Sequence, residues 1–210
     1  MKKLPDKTVE RLSQYRRSLL NCLANGKKHI FSHEIANLHH ITPVQVRRDI
    51  MLIGYTGTLR KGYDIQELVD LIGEIIDTEQ GQNVAIIGIG NLGRALITYL
   101  NGKRSKLNIV AAFDNNPEKV ERVYAGVQCY HTDQLEEIVQ QEGITIGIIT
   151  TPADVTQEIS EMLVKAGIKG ILNYTPTAVN VPDHVYLEEY DMITSLEKVA
   201  FFVKKNSLTA

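Results

Sequence analysis

A glycine cluster that follows an apolar run constrains this chain more than any other feature. The run Val84–Ile87 has the composition of a buried strand, and Gly88, Gly90 and Gly93 follow it at the spacing G-x-G-x-x-G, ahead of a helical pattern. This order suits dinucleotide binding, because the tight turn and the free N–H groups of the helix start approach the pyrophosphate. The stretch therefore predicts a Rossmann-type unit, with a tight turn that binds no ligand as the alternative.

A second predicted strand ends in an acidic residue. Ile109–Phe113 is apolar, and Asp114 follows it, 21 residues after Gly93. At this distance an acidic side chain is expected to bind the ribose hydroxyls of the adenosine and to repel the 2′-phosphate of NADP. Asp114 therefore favours NAD as the ligand of the glycine turn.

Charge is distributed unevenly along the 210 residues. Residues 1–62 hold 12 Lys and Arg against 4 Asp and Glu, whereas residues 63–210 hold 11 against 21. A basic head on an acidic body suggests that the head binds a polyanion, a solvated basic face being the alternative. Apolar runs are too short to cross a bilayer, the first residues are not a signal peptide, and two cysteines are too few for a disulfide scaffold or a zinc site. We therefore expect a cytoplasmic protein without a membrane partner or a bound metal.

The basic head has the pattern of a helix-turn-helix. After a long amphipathic helix over residues 5–25, Ser32 is expected to cap a short helix. A second helix is expected to begin with Thr42 as N-cap, Pro43 at N1 and Gln45 at N3, which is a capping box. The residues expected on its polar side are Gln45, Arg47, Arg48 and Asp49.

This second helix suits the major groove of DNA, since Arg can bond guanine edges or phosphates and Gln can bond adenine. Gly54–Tyr63 then predicts a β-hairpin or wing with Arg60 and Lys61 at its tip, which could reach phosphates or a narrow minor groove. The head therefore predicts a DNA-binding winged helix, and a small helical bundle with a charged surface is the alternative.

A polar run over residues 77–82 is the best linker, so residues 1–80 and 81–210 are predicted to form separate domains. Beyond it strands and helices alternate, which predicts an α/β fold with a doubly wound parallel sheet. Within it, Asp133 is expected to cap a helix. The strand ends where ligands are expected are Gly88–Gly93, Asp114, Thr150–Pro152 and Asn173–Pro176.

The last predicted helix carries more apolar surface than one face needs, since Phe201 and Phe202 add to its apolar stripe. Packing on its own domain and contact in a dimer are the two alternatives.

Two classes of function fit a dinucleotide fold of this length. A dehydrogenase usually needs a positioned proton donor, but neither His131 nor His184 stands at an obvious strand end, and no Tyr-x-x-x-Lys pair is placed as in a reductase. A ligand-gated DNA-binding protein explains the basic head, the capped helix, the wing and the cofactor fold in one chain. A small NAD-dependent oxidoreductase remains the alternative.

Six stretches distributed along the chain carry a resemblance to a known family: Val46–Asp49, Gly62–Asp64, Gly90–Ala95, Ala112–Asp114, Pro117–Val120 and Ala166–Asn173. With these stretches nearly the whole chain resembles the Rex family of bacterial redox-sensing transcriptional repressors. The resemblance implies a homodimer with a winged-helix head, a Rossmann body and a C-terminal helix that inserts into the partner subunit. It also implies repression of fermentation and anaerobic respiration genes, which ends when NADH binds.

The resemblance assigns roles to single residues. The implied cofactor-binding residues are Gly88, Ile89, Gly90, Asn91, Leu92, Gly93 and Arg94 at the pyrophosphate, Asp114 at the ribose, and Tyr99, Thr151 and Pro152 on the nicotinamide side. Arg47 and Arg48 match the family's base-contacting residues of the recognition helix, and with the residues that the pattern itself indicates the predicted DNA-binding residues are Thr42, Gln45, Arg47, Arg48, Arg60 and Lys61. Arg17 and Asp191 match a pair that couples the head, the C-terminal helix and the cofactor state.

Departures from the family are concentrated in the DNA-reading region. The family usually has Ser-Tyr-Phe-Gly at Met51–Gly54, and its wing Gly-Lys-Arg-Gly-x-Gly-Tyr has an arginine where this chain has Leu59. Either Arg60 takes over the minor-groove role or the operator differs. Asn173–Pro176 also departs from the usual Phe and small residue before proline.

The implied mechanism is a C2 homodimer that places two recognition helices on an inverted repeat of double-stranded DNA. NADH and NAD⁺ then act as effectors: NADH prefers the state that does not fit DNA, and NAD⁺ discriminates less. Only such a difference in affinity moves the equilibrium, and roughly 3 kcal/mol changes DNA affinity about a hundredfold.

Overall fold

The structure is a computed structural model that describes residues 4–58, 60–102 and 106–207. The chain divides into two compact units, Met1–Glu79 and Gln80–Ala210. The border lies within the polar run over residues 77–82.

Helices and a short antiparallel sheet form the N-terminal unit. Its elements are α1 (Asp6–Ala24), β1 (His29–Ile30), α2 (Ser32–His39), α3 (Pro43–Leu52), β2 (Tyr63–Asp64) and α4 (Ile65–Ile76). β1 pairs with β2, and Thr58 and Gly62 exchange backbone hydrogen bonds of 2.8 Å. The unit is a helix-turn-helix followed by a wing, as predicted, and Leu59 in that wing lies outside the described residues.

The core of this unit comes from residues at three- and four-residue steps along its helices, because such residues share one helix face. The fully buried apolar side chains include Leu12, Tyr15, Leu19, Ile35, Val46, Ile50, Leu68 and Ile72. The core joins α1, α2, α3 and α4 and thereby supports α3 from behind.

The expectation that Ser32 caps α2 is wrong. Ser32 is the first residue of the helix, and the Glu34 carboxylate accepts from the backbone N–H of Phe31 at 2.9 Å. An acidic side chain at N3 satisfies this donor and interacts favourably with the helix dipole. Ser32 Oγ accepts instead from Arg47 Nη1 at 3.1 Å.

The expectation for the start of α3 is half correct. The backbone N–H of Gln45 donates to Thr42 Oγ1 at 3.2 Å, so Thr42 is the N-cap, with Pro43 at N1. The side chain of Gln45 donates to Asp49 Oδ1 at 2.9 Å instead of closing the capping box. Asp49 does not lie on the polar side: it is fully buried, because Arg11 supplies a counter-ion from α1.

Parallel strands alternate with helices in the C-terminal unit. Its strands are β3 (Gln82–Ile87), β4 (Leu107–Asp114), β5 (Val123–Tyr124), β6 (Val127–His131), β7 (Ile144–Ile149), β8 (Gly170–Asn173) and β9 (Tyr186–Glu189). Its helices are α5 (Asn91–Leu100), α6 (Leu135–Gln141), α7 (Thr156–Lys165) and α8 (Met192–Ser207).

The sheet has the order β5-β6-β4-β3-β7-β8-β9, in which β5 is antiparallel to β6 and the other neighbours are parallel. Without β5 this is the 3-2-1-4-5-6 order of a Rossmann sheet, so the predicted fold class is confirmed. β3 is central and buried on both faces. Its residues Ala85 and Ile87 pack in one core layer with α6 and α7, and Val84 and Ile86 in the other with α5.

Two local features differ from the prediction. Asp133 does not cap α6: residues 132–134 form a 3₁₀ turn, in which His131 Nδ1 accepts from the Asp133 N–H at 3.3 Å, and α6 begins at Leu135. The sequence pattern also does not predict β5 or β9, because two to four residues carry too little periodicity to reveal a strand.

The apolar side chains of α8 are not covered by any other described part of the chain. Every residue of this helix whose side chain the structure describes is exposed, including Leu196 at 70% and Phe201 at 62%. Across the described residues, the helices lack the combination of length and apolar character that crossing a membrane requires.

Candidate functional site

A cavity of about 570 Å³ opens at the carboxyl ends of β3, β4 and β7. The strand order reverses between β3 and β7, and open α/β sheets bind their ligands at such a point. The predicted cofactor residues that line the cavity are Gly88, Gly90, Asp114, Thr151 and Pro152. The fold therefore brings three strand ends that are remote in sequence to one site.

Gly88 and Gly93 are required by the fold itself. Gly88 has a φ of 97°, which favours glycine, and a Cβ there would lie 2.9 Å from backbone atoms of Thr150 and Thr151. A Cβ on Gly93 would overlap with the carbonyl oxygen of Gly88. These glycines let α5 pack closely against the turn.

Gly90 differs from both of these glycines. Its φ is −81°, which any residue adopts, and a Cβ there would meet no atom within 4 Å. It lines the cavity and occupies the N-cap position of α5 without a side-chain cap. The described residues supply no reason for a glycine here, whereas the approach of a pyrophosphate to the helix start does.

The remaining residues of the turn lie at or beneath the start of α5. Ile89 is fully buried, Asn91 is exposed, and Leu92 is half-buried. The guanidinium of Arg94 lies over the ring of Tyr124, 5.3 Å from its centroid. These four residues do not line the cavity with their side chains, so their predicted contribution is through the N–H groups of the helix start.

Asp114 ties the glycine turn to the end of β4. Its carboxylate accepts from the backbone N–H groups of Ile89 at 2.7 Å and Asn116 at 2.9 Å, and from Lys119 Nζ at 2.9 Å. Burial would raise the pKa of Asp114, but the hydrogen bonds from Asn116, Lys119 and Ile89 outweigh it and lower that pKa below its ordinary 3.8. The side chain therefore stays ionised at neutral pH, as an acceptor for ribose hydroxyls requires.

Sequence reasoning missed several residues of the cavity. Lys119 pairs with Asp114, and Thr132 lies just after β6, where the rule that ligands bind at strand ends would have found it. Asp154 and Glu158 come from the turn before α7 and from its first turn. Helix starts at this edge of a sheet are the general signal for such residues.

Tyr99 does not line the cavity within one chain. It lies near the C-terminal end of α5, a ten-residue helix whose N-cap residue Gly90 lines the cavity, and it is 59% exposed. Ten helical residues span about 15 Å, which accounts for the separation. The role of Tyr99 near the nicotinamide stays a prediction.

Thr151 lines the cavity and contains a buried polar atom that lacks a partner. Its Oγ1 has no hydrogen-bond partner among the residues that the structure describes. Buried hydroxyls are nearly always hydrogen-bonded in native proteins, so this one is an exception, and its burial closes the oxygen to the cavity in this conformation.

The exposed side of α3 carries the predicted DNA-binding residues Thr42, Arg47 and Arg48. Gln45 is half-buried, and its amide group is committed to Asp49. The arginines are therefore the main groups that this helix offers to a base edge or a phosphate.

The wing carries Arg60 and Lys61 on its exposed surface, and Thr58 Oγ1 accepts from the Lys61 N–H at 3.2 Å. A groove of about 310 Å³ runs between α3 and the wing, with Arg47 and Met51 on its helix side. Arg47 lines this groove, whereas Arg60 and Lys61 are exposed on the wing outside its lining, so both elements offer cationic side chains to a polyanion.

Arg17 and Asp191 lie in different units. Arg17 is exposed on α1, whereas Asp191 directly precedes α8. The carboxylate of Asp191 accepts from the Thr194 hydroxyl and, at 2.8 Å, from the Ile193 N–H, and these bonds lower its pKa. Asp191 therefore caps α8, and its pairing with Arg17 stays a prediction.

Each part of the chain matches a family model. Residues 3–50 match a model described as putative DNA-binding protein N-terminus, and residues 79–177 match one described as CoA binding domain.

Named relatives match the chain over nearly its full length. The redox-sensing transcriptional repressor Rex of Anoxybacillus flavithermus is 38% identical over 202 residues, which cover 96% of this chain and 95% of that protein. The protein of the same name from Carboxydothermus hydrogenoformans is 37% identical, with 97% and 98% covered.

Solved structures show the same likeness. RSP, a Rex-family repressor, matches with a TM-score of 0.89 at 32% identity over 100% of this chain and 99% of its own. RSP in complex with β-NAD⁺ and operator DNA matches with a TM-score of 0.90 at 32% identity, covering 100% and 96%. RSP in complex with β-NADH matches with 0.87 at 31% identity, covering 100% and 98%.

Proposed function

Since the chain belongs to the Rex family of redox-sensing transcriptional repressors, we propose that it binds operator DNA as a homodimer and leaves that DNA when NADH binds its C-terminal unit. NADH and NAD⁺ are then effectors, and DNA occupancy reports their ratio. The complexes of RSP with β-NAD⁺ and operator DNA and with β-NADH support this proposal.

The observation that carries the proposal is the open space at Gly90. The described fold leaves room for a Cβ there, yet the residue is glycine and lines the cavity beside the start of α5. A dinucleotide pyrophosphate fits this position, and Asp114, which also lines the cavity, suits the adenosine ribose. When bound, the nicotinamide supplies the redox signal, since it either carries a hydride or does not.

The DNA contact is proposed for α3 and the wing. Arg47 and Arg48 are exposed on α3 and are proposed to meet bases or phosphates of the major groove. Arg60 and Lys61 are exposed on the wing and are proposed to meet the flanking backbone or minor groove. Thr42 lies exposed at the start of α3, where phosphates are favoured.

The homodimer is proposed from α8. Its exposed Leu196, Phe201 and Phe202 form an apolar surface that a second copy of the chain would cover, by insertion of the helix into that copy. A C2 dimer places two α3 helices on the two halves of an inverted repeat.

We further propose that the cavity performs no catalysis and that the protein acts in the cytoplasm, where a bacterial repressor meets DNA. Histidine and tyrosine, common proton donors in hydride transfer, are absent from its lining among the described residues, and Lys119 is paired with Asp114. A small NAD-dependent oxidoreductase is the competing function. Turnover of an alcohol or a hydroxy acid by the purified protein would support it.

The deciding experiment measures fluorescence anisotropy of a labelled duplex selected from a random library. NADH, NAD⁺ and coenzyme A are added separately. NADH should weaken DNA binding by about a hundredfold, NAD⁺ much less, and coenzyme A should have no effect. Release by NAD⁺ but not by NADH, or indifference to both, contradicts the proposal.

A further inference from the structure

A buried polar cluster lies between the loop that follows β7 and the segment that leads into α8. Its members are Thr156, Asn173 and Thr175, with exposed fractions of 0%, 0% and 6%. None of the three lines the cavity. Burying hydroxyl and amide groups costs free energy unless they are hydrogen-bonded, so packing alone would favour apolar residues here.

One end of the cluster bonds to the wall of the cavity. Thr156 Oγ1 lies 3.1 Å from the carbonyl oxygen of Pro152, which lines the cavity, and 3.2 Å from Thr175 Oγ1. Thr175 Oγ1 donates its own proton to Asn173 Oδ1 at 2.8 Å. The single hydroxyl proton of Thr156 therefore has two acceptors within reach, the Pro152 carbonyl and the Thr175 hydroxyl.

The other end of the cluster bonds to the chain just before α8. Asn173 ends β8 opposite Glu189 of β9, and its carbonyl oxygen accepts from the Tyr190 N–H at 2.8 Å. The ring of Tyr174 packs edge-on against that of Tyr190, with 5.3 Å between centroids. Asp191, the cap of α8, is the next residue.

A second set of bonds joins the same two segments. Thr177 Oγ1 donates to the Ala153 carbonyl oxygen at 3.2 Å, and the Thr177 carbonyl oxygen accepts from Asn173 Nδ2 at 2.8 Å. A displacement of the loop over residues 150–155 must therefore either break these bonds or move residues 174–177 with it.

We infer that Thr156, Asn173 and Thr175 form a polar relay through which the loop over residues 150–155 sets the position of Tyr190 and the start of α8. The inference rests on the proposed function, because it needs a dinucleotide in the cavity. When a bound group displaces Pro152, the bonds from Thr156 to Pro152 and Thr175 and from Thr175 to Asn173 carry the displacement to Asn173, whose backbone carbonyl holds the Tyr190 N–H. The three are positioning residues that act on the response to nucleotide rather than on its binding.

The test is Thr175→Val, which keeps the side-chain shape and removes the hydroxyl. This variant should bind NADH, and DNA in the absence of nucleotide, within about twofold of wild type. The factor by which NADH weakens DNA binding should shrink about tenfold. NADH fluorescence titration and DNA anisotropy measure these quantities. Thr175→Ser, which keeps the hydroxyl, should restore the response.

Thr145→Val is the matched control. It removes a hydroxyl from β7 whose oxygen is buried without a hydrogen-bond partner among the described residues. The factor by which NADH weakens DNA binding should therefore stay at its wild-type value. The same loss in this control would assign the effect to general loosening and overturn the relay.

If NADH weakens DNA binding by Thr175→Val by the same factor as in wild type, the relay is overturned while the proposed function stays in place. If Thr175→Val does not fold, Thr156→Val is measured instead. A smaller effect of NADH on DNA binding in that variant supports the relay, and an unchanged effect overturns it. Wild-type protein whose DNA binding ignores NADH contradicts the proposed function itself, and the relay with it.

Discussion

Arg11 and Asp49 form a bidentate ion pair between α1 and α3. Arg11 Nε lies 2.6 Å from Asp49 Oδ2, and Nη2 lies 2.7 Å from Oδ1. The Asp49 side chain is fully buried, whereas that of Arg11 is 22% exposed, and the Tyr15 hydroxyl also donates to Asp49 at 2.9 Å. Because two parallel bonds fix orientation as well as distance, the pair sets the angle at which α3 is presented.

Asp49→Asn should destabilise the N-terminal unit and weaken DNA binding. It leaves the half-buried guanidinium of Arg11 without its counter-ion, which should lower the free energy of unfolding by about 2 kcal/mol. Urea unfolding and DNA anisotropy measure the two effects, and NADH affinity should not change. Asp70→Asn removes an exposed carboxylate from α4 and is the control. An equal loss there would show that α1–α3 pairing is not the cause.

Stability should depend on pH through the same carboxylate. Burial would raise the pKa of Asp49, but hydrogen bonds from Arg11, Tyr15 and Gln45 outweigh it and lower the pKa below its ordinary 3.8. A carboxyl pKa that folding lowers stabilises the folded state above the unfolded-state value, and this contribution is lost as pH falls through the folded-state value. The free energy of unfolding should therefore drop below about pH 4, and less steeply in Asp49→Asn. Urea titrations at a series of pH values measure this. The same decrease in the free energy of unfolding with falling pH in both proteins would contradict the prediction.

Gly90→Ala should lower NADH affinity, whereas Gly93→Ala should lower stability. Alanine at 90 has space and an ordinary φ, so the variant should keep wild-type stability and lose NADH affinity by about tenfold or more, because its methyl group occupies the pyrophosphate position. Alanine at 93 would overlap with the Gly88 carbonyl, so that variant should lose stability. Thermal unfolding and NADH titration separate the two effects. If Gly90→Ala binds NADH with wild-type affinity, the pyrophosphate does not bind at this position.

Arg48→Ala should weaken DNA binding and leave the nucleotide site unchanged. Arg48 is exposed on α3, and loss of a base or phosphate contact costs about 1–3 kcal/mol. Anisotropy over a range of salt concentrations measures the affinity and also the number of phosphates contacted. Lys7→Ala, which removes an exposed cation from α1, is the control and should have a much smaller effect. Equal effects of the two substitutions would mean that only overall charge matters.

Leu196→Asp should convert the dimer to a monomer. Leu196 is the most exposed of the large apolar residues on α8, and a carboxylate there cannot be buried in an apolar interface without a large cost. Sedimentation equilibrium measures the association, and near-native thermal unfolding of the monomer would show that the chain still folds. Lys198→Asp, on the same helix, should leave the dimer intact. If the Leu196→Asp variant still forms a dimer, the interface lies elsewhere.

The sequence predicted most reliably what depends on neighbouring residues. The strand, turn and helix around Gly88–Gly93, the N-cap at Thr42 and the wing between Gly57 and Tyr63 all follow from local backbone preferences and periodicity. Local preference was not enough at Ser32 and Asp133, since the Phe31 N–H donates to Glu34 and the Asp133 N–H donates to His131 in place of the expected caps. The short edge strands β5 and β9 exist only because a neighbouring strand supplies their partners.

By itself the sequence determined the fold class, the basic head and the position of the dinucleotide turn, because hydrophobic period and glycine spacing act within a few residues. The tertiary structure alone decided that Asp49 is buried, because its counter-ion on Arg11 comes from 38 residues away. It also placed Lys119 and Glu158 at the cavity and kept Tyr99 from it. Such outcomes depend on which elements pack together. Packing brings residues that are far apart in the sequence into contact, and no pattern of neighbouring residues predicts those contacts.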